Sequence, residues 1–331
     1  MPSSSSSLRR TSLIAGAALT GAYAGLTAAK WVYQRSLPPS VSLPPAIDLP
    51  LHTFEAPDGR VQYYARPGTG RPVVLLHSFN AVASSRELAP IVEHLATTTN
   101  RPLYALDWLG FGRSERAALH YAPGVYRRQL YNFLSDVPHT PVDLIALSLG
   151  GEYAAQVTLQ AAPLVQRLVL IGPTGLAATQ GPSLPGQIGL GLAEAVGAFD
   201  LLYYRLTRRA SLRRYYARQI FLEPQAIPDA LLDYAERTAH VHGAHRAPLR
   251  FVDGTLKHDD IASVYACLYR PTLVLTPRAP ASTIQSFEAL PDVLEQNPEF
   301  LAHQSLPGGL LPHWEAPSPF FGALDAFLVD P

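Results

Sequence analysis

The run Ala146-Leu147-Ser148-Leu149-Gly150-Gly151 carries the residue types that a serine nucleophile needs. It joins a buried apolar run, Val142 to Ser148, to a helical pattern from Gly150 to Ala162. A serine held in a sharp strand-to-helix elbow has its Oγ lifted clear of the sheet, and the residues two before and two after it must be small. Ala146 and Gly150 meet that demand, while the plainer reading of the same residues is an N-cap serine at an ordinary turn. Two other segments bear on the same chemistry. Leu75-Leu76-His77-Ser78-Phe79-Asn80 closes an early strand, and an oxyanion hole there would use the backbone N–H groups of Phe79 and Leu149, at about 3 kcal/mol per donor. Leu106 to Ser114 contains Gly110 and Gly112, which allow a tight loop across which Asp107 and Arg113 are expected to pair as a structural contact.

The elements that must position these residues alternate along the chain, which is the signature of a mostly parallel sheet covered by helices on both faces. Strands are expected at Val61 to Ala65 and Pro72 to His77, around the turn Pro67-Gly68-Thr69-Gly70, then at Pro102 to Trp108, Val142 to Ser148, Arg167 to Ile171 and Thr272 to Thr276. Helices are expected at Ser84 to Ala96, with Ser84 or Ser85 as N-cap, at Tyr126 to Leu134 and at Gly150 to Ala162. The stretch from about Gly175 to Tyr269 has no clear strand and reads as an inserted helical lid with apolar positions at Ile188, Leu190, Leu192, Phe199 and Leu201 to Tyr204. The expected fold is therefore α/β, a doubly wound, mostly parallel sheet with a helical lid over about 175–269.

Taken together and in this order, Leu75 to Asn80, Asp107 to Ser114, Ala146 to Gly151 and Leu311 to Pro317 resemble the α/β-hydrolase superfamily over roughly Leu51 to Val329. The resemblance implies a Ser-acid-His triad acting on ester, amide, carbon–halogen or related bonds. It puts Ser148 at the nucleophile, Phe79 and Leu149 at the oxyanion positions, and the region between Gly175 and Tyr269 at the lid. The chain departs from the family in two places. After the strand Thr272 to Thr276 the family usually has an aspartate, and here the residues are Pro277-Arg278-Ala279-Pro280-Ala281, with no carboxylate before Glu288. The stretch after Ile171, Gly172-Pro173-Thr174-Gly175, offers none either, so no acid is assigned. The family's last motif, G-H-x-P-H-x-E, is matched by Gly309-Leu310-Leu311-Pro312-His313-Trp314-Glu315, with Leu310 at the usual base position. His313 is the remaining candidate base, at a position that in the family more often holds a structural histidine.

Composition narrows the alternatives. The 331 residues include 26 Lys+Arg and 26 Asp+Glu, a formal net charge of zero, with 47% apolar and 16% charged residues. That balance argues against a disordered chain and a nucleic-acid partner. Cys267 is the single cysteine, so an internal disulfide and a cysteine metal cluster are excluded. His240, His242 and His245 lie close together, but no metal is expected there, because neither a carboxylate nor a strand fixes the rings. No cofactor is expected. Arg205, Arg208, Arg209, Arg213, Arg214 and Arg218 put several cations on one helical face, either a solvated surface or a contact for anionic lipid head groups.

The N-terminus reads differently from the rest. Ser3 to Ser7 is polar, Arg9 and Arg10 follow, and Leu13 to Ala29 carries no charge, with Lys30, Trp31 and Tyr33 at its end. Residues 1–35 are read as a membrane-targeting segment, either a single-pass anchor or an exported signal with Ala22-Tyr23-Ala24 as a cleavage site; an ordinary soluble helix is the third reading. Residues 36–50, rich in proline, are read as a linker, with the folded domain at 51–331. The expected function is a serine hydrolase acting on an ester or related acyl bond of a small or lipid-like substrate. The alternative is a catalytically inactive protein of the same fold that binds a ligand or protein partner.

Overall fold

The computed structural model describes residue 21, residues 24–25, 27–177, 198–278 and 285–329. Most of Leu13 to Ala29, the lid positions Ile188, Leu190 and Leu192, and residues 279–284 lie outside the described residues. Among the described residues no helix is long and apolar enough to cross a membrane.

Eight strands form one sheet in the order β1-β2-β4-β3-β5-β6-β7-β8. They are β1 (Leu51–Ala56), β2 (Gly59–Arg66), β3 (Val73–Leu76), β4 (Leu103–Leu106), β5 (Val142–Leu147), β6 (Val165–Ile171), β7 (Thr272–Pro277) and β8 (Leu301–Leu306). β1 and β2 pair antiparallel, β2 meets β4 antiparallel, and every other pairing is parallel. The central strands β3 and β5 are buried at every position, so they read as continuous apolar runs. Their side chains alternate between two cores: Val73, Leu75, Ile145 and Leu147 face one cluster, and Val74, Leu76, Leu144 and Ala146 face the other. β1 and β8 were not expected from the sequence. Both are edge strands with mostly half-buried or exposed positions, and β8 buries only its two terminal leucines, so neither has an apolar signature to read.

Helices cover both faces: α1 (Ala89–Thr98), preceded by a 3-10 turn at Ser85–Leu88; α2 (Pro123–Asp136); α3 (Leu149–Gln160); α9 (Leu290–Gln296); α10 (Pro312–Glu315); and α11 (Pro317–Leu328). Ser84 caps that turn, its side chain accepting the Arg86 amide. Between β6 and β7 the described chain is helical, with α4 (Ala198–Leu206), α5 (Arg209–Gln219), α6 (Asp229–Ala239), α7 (Arg246–Val252) and α8 (Ile261–Ala266). This insertion is tied to the sheet by the buried Arg116, whose guanidinium donates to the carbonyls of Gly110, Gly112 and Thr238.

Two local expectations are corrected. Asp107 and Arg113 do not pair through their side chains. The Asp107 carboxylate accepts the Arg113 backbone amide at 2.8 Å and both the amide and the hydroxyl of Ser85. The Arg113 guanidinium instead donates to the carbonyls of Val41 and Leu43. The close turn explains this: a Cβ at Gly112 would lie 2.1 Å from Asp107 Cγ, so the backbone itself occupies the position opposite the carboxylate. The proline-rich stretch also does not stand off as a spacer. Leu43, Ala46 and Ile47 are buried in the core, and the Ala46 amide donates to the Tyr64 hydroxyl at 2.8 Å. Apolar residues between the prolines supply the burial that a solvated linker lacks.

β3 lies between β4 and β5, so the chain runs from β3 to one side and then crosses to the other. In open α/β sheets ligands bind outside the carboxyl ends of the strands at such a switch point. Here that point is bordered by the β3 end, carrying His77 to Asn80, and the β5 end, carrying Ser148.

Candidate active site

Ser148 has φ +50° and ψ −126°, a backbone conformation that non-glycine residues rarely adopt and that costs on the order of 1–3 kcal/mol. It is held there from both sides. The Ser148 amide donates to the Ile171 carbonyl at 2.9 Å, and the residues around it must be small. A Cβ at Gly150 would lie 2.7 Å from the carbonyl oxygen of His77, and one at Gly151 3.0 Å from Leu170. The elbow therefore sits directly against the β3 loop, which brings Ser148 and Phe79 to one cavity.

The β3 loop is fixed by buried polar groups. The Trp108 amide donates to His77 Nε2 at 3.1 Å, which leaves His77 Nδ1 to donate to the Ser78 carbonyl at 2.6 Å. Burial holds the His77 imidazolium form down, with its pKa lowered to about 4 against the pull of Asp107. The Glu87 carboxyl, fully buried, accepts the Ser78 amide at 3.0 Å and the Asn80 side-chain amide at 2.8 Å. Burial raises its pKa in spite of these donors. The Phe79 ring packs against Trp108, Phe111, Tyr126 and Tyr153, which anchors the loop from below. No hydrogen bond among the described residues uses the amide of Phe79 or of Leu149, the latter being an N-terminal helix donor without an intrahelical partner.

The cavity over Ser148 measures about 80 Å3 and is mostly apolar in lining. Phe79, Leu147, Tyr215, Tyr216, Ile220, Phe251, Leu310 and Leu311 provide that apolar wall; Ser78, Asn80, Glu87, Ser148, Thr174, Lys257 and Gln285 bring polar groups. The insertion thus closes the site with α5 and with residues around α7. Leu310 is set rigidly. Its amide donates to the Ile220 carbonyl at 2.7 Å, and a Cβ at the preceding Gly309 would meet that same oxygen at 2.1 Å.

His313 does not line this cavity. It is buried, and its Nε2 donates to the Glu87 carbonyl at 2.7 Å, beside the Trp314 indole donating to the same oxygen at 2.9 Å. Burial lowers its pKa to about 4, and Nδ1 has no partner among the described residues. Among the described residues, the side chain that hydrogen-bonds the serine hydroxyl is Gln285, whose Nε2 donates to Ser148 Oγ at 2.8 Å. Glu288, the first carboxylate after β7, is exposed and lines a different cleft with Phe287 and His303.

Sequence reasoning passed over Glu87, Glu152, Lys257 and Gln285. Glu152 had a readable signal, since it follows Ser148 by one helical turn and so shares its side of α3. It is almost fully buried, accepts the Thr174 hydroxyl and the His258 amide, and thereby ties α3 to the insertion. Burial pushes its carboxyl up to about 7, opposed by those two donors and by Lys257. Of the three clustered histidines, His240 bonds the carbonyls of Glu236 and Tyr204, His242 that of Gln34, and His245 the Tyr204 hydroxyl.

Comparison with known proteins gives the following likenesses. A sequence profile of the α/β-hydrolase fold matches residues 71–214. A 2-hydroxy-6-oxo-6-(2'-aminophenyl)hexa-2,4-dienoic acid hydrolase from Metapseudomonas resinovorans is 30% identical over 118 residues, which is 34% of this chain and 39% of that protein. The match therefore spans well under half of that relative's length. Among solved structures, a probable hydrolytic enzyme from Pseudomonas aeruginosa PAO1 superposes with a TM-score of 0.68 at 18% identity, covering 90% of this chain and 100% of that one. A membrane phospholipase A, a bacterial virulence factor, superposes with a TM-score of 0.66 at 19% identity, covering 97% and 96%. At such identities these superpositions speak for the fold.

Proposed function

Because this chain belongs to the α/β-hydrolase superfamily, we propose that it binds a small or lipid-like acyl compound over Ser148 and that Ser148 attacks the ester or related acyl bond. The observation that carries this reading is the strained backbone of Ser148, φ +50°, at a cavity also lined by Phe79, whose amide has no hydrogen bond among the described residues. A fold retains such strain where over-determined surroundings impose it, and such sites cluster where chemistry occurs. In this reading the Phe79 and Leu149 amides hold the oxyanion that forms when Oγ bonds to the acyl carbon. The proton of Oγ goes to a base. His313 is the imidazole candidate, and it can serve only if its Nε2 releases the Glu87 carbonyl and the loop carrying it shifts. The mostly apolar wall favours an uncharged acyl group.

A second reading is favoured by one specific contact. Ser148 Oγ is bonded to the amide of Gln285, which cannot take up a proton, and Leu310 stands in the same cavity. A serine without a base is a weak nucleophile. In this reading the cavity binds its ligand and does not turn it over.

The deciding experiment is labelling with a fluorophosphonate probe, comparing wild type with Ser148→Ala and His313→Ala. Labelling that requires both residues supports the serine hydrolase with His313 as base. Labelling that requires Ser148 alone keeps the nucleophile and removes His313 from the mechanism. Folded wild type that takes up no label leaves the binding reading.

A further inference from the structure

The helical stretch 27–36 lies against the insertion, and the contact leaves a second cleft away from Ser148. The Tyr33 and Tyr204 rings meet edge to face at 5.0 Å. The His242 amide donates to the Pro38 carbonyl at 2.8 Å, which fixes the end of the stretch to the loop after α6. Beside the tyrosine pair is a cleft of about 390 Å3 lined by Tyr33, Tyr204, Arg205 and Arg208.

Two pairs of arginines in this region differ. Arg209 and Arg213 share the Asp229 carboxylate at 2.7 and 2.6 Å, and Arg209 also pairs with Asp233, so their charges are matched within the insertion. Arg205 and Arg208 are exposed, and their guanidinium groups form no ion pair or hydrogen bond among the described residues. Helical periodicity places Tyr203, Tyr204 and Thr207 inward and Leu202, Arg205 and Leu206 outward. Leu202 is 48% exposed and Leu206 56% exposed, and on the N-terminal stretch Trp31 and Val32 are 56% and 61% exposed. They are four of the ten large apolar residues that are exposed among those described; Leu202 and Leu206 share the helix of Arg205, and Trp31, with the Arg35 guanidinium 3.9 Å over its ring, and Val32 precede Tyr33, which lines the cleft.

Apolar side chains beside unmatched cations suit the boundary of a bilayer, where the former enter the acyl edge and the latter pair with phosphate. A protein partner would also accept an apolar patch. The bilayer is preferred because the uncharged run Leu13 to Ala29 is followed, after Lys30, by Trp31 and Val32. We propose that this cleft seats the phosphate of an anionic phospholipid, with Arg205 and Arg208 as its ligands and Trp31, Val32, Leu202 and Leu206 at the acyl edge. The proposal is independent of the chemistry at Ser148.

The test is co-sedimentation of the full chain with vesicles of phosphatidylcholine alone and of phosphatidylcholine with phosphatidylglycerol. Wild type should prefer the anionic vesicles, and Arg205→Gln/Arg208→Gln should lose about five-fold of that preference per arginine. Arg209→Gln/Arg213→Gln, whose side chains are already paired, should keep it; thermal melts establish that each variant is folded. Absence of an anionic preference in wild type overturns the proposal, as does its survival in the Arg205/Arg208 variant or its equal loss in the Arg209/Arg213 variant. Inorganic phosphate, which would compete for the same arginines, should reduce the preference more than chloride of equal ionic strength does; equal effects of the two salts would show a diffuse charge attraction and overturn the phosphate seat.

Discussion

Gln285 Nε2 donates a 2.8 Å hydrogen bond to Ser148 Oγ. The contact joins the described segment before α9 to the elbow after β5, and it gives the serine a neutral amide where an imidazole would be needed to take its proton. Its companion is Leu310, whose side chain lies near Gly172, at the carboxyl end of β6, in the same cavity.

An imidazole at Leu310 should therefore change the rate at which Ser148 reacts. In Leu310→His the fluorophosphonate labelling rate is expected to rise by about 10²-fold or more, since a positioned base contributes roughly that much. A labelling rate within a factor of about 3 of wild type, far below that contribution, would show that the lack of an imidazole at position 310 is not what limits this serine.

Backbone strain at Ser148 can be measured without any substrate. Ser148→Gly and Ser148→Ala both delete the hydroxyl and its bond to Gln285, but only glycine adopts φ +50° without strain. Ser148→Gly is expected to be more stable than Ser148→Ala by about 1 kcal/mol in urea unfolding, the strain relief less the entropy cost of glycine. Equal stabilities would mean that the elbow is unstrained.

The close approach of the elbow to the β3 loop predicts a sharp difference between two glycines. Gly150→Ala places a methyl 2.7 Å from the His77 carbonyl oxygen, a backbone atom that has no room to move, and should destabilise by about 1–3 kcal/mol. Gly124→Ala, in the first turn of α2, meets only the end of the Arg128 side chain at 3.5 Å and should be neutral or stabilising by up to about 1 kcal/mol. Similar losses at both positions, measured by denaturant unfolding, would contradict this geometry.

Glu152 predicts a pH dependence of defined sign. Its folded-state pKa is about 7 against 4.5 for an ordinary glutamate, so the fold favours the protonated form. The associated stability is fully present below pH 4.5 and is lost as pH rises through 7. Wild type should therefore lose stability relative to Glu152→Gln across that window. His77 and His313, both lowered to about 4, act in the opposite sense, their contributions being lost as pH falls from 6.5 toward 4. Because both proteins carry those histidines, their contributions cancel in the difference. A difference that does not vary with pH would exclude a buried, raised carboxyl at this position.

Local pattern was enough for the central sheet and for the elbow. β3, β5, β6 and β7 are apolar runs because they are buried on both faces, and Ala146 and Gly150 are small because the serine between them must stand clear of neighbouring backbone. These constraints act on residues adjacent in the chain, so composition and spacing carry them. The edge strands β1 and β8 carried no such mark, because an edge buries too little to impose an apolar pattern. Nor could the partners of the site residues be read in advance. Gln285 reaches Ser148 across 137 positions, and His313 reaches the Glu87 carbonyl across 226. Which side chain meets the serine depends on the paths of the segments after β7 and β8, and the pinning of Leu310 to Ile220 depends on where α5 ends. Those paths are set by packing between distant elements, which the residue types determine only jointly. Sequence thus specified the scaffold and the serine, and the tertiary structure alone decided what surrounds its hydroxyl.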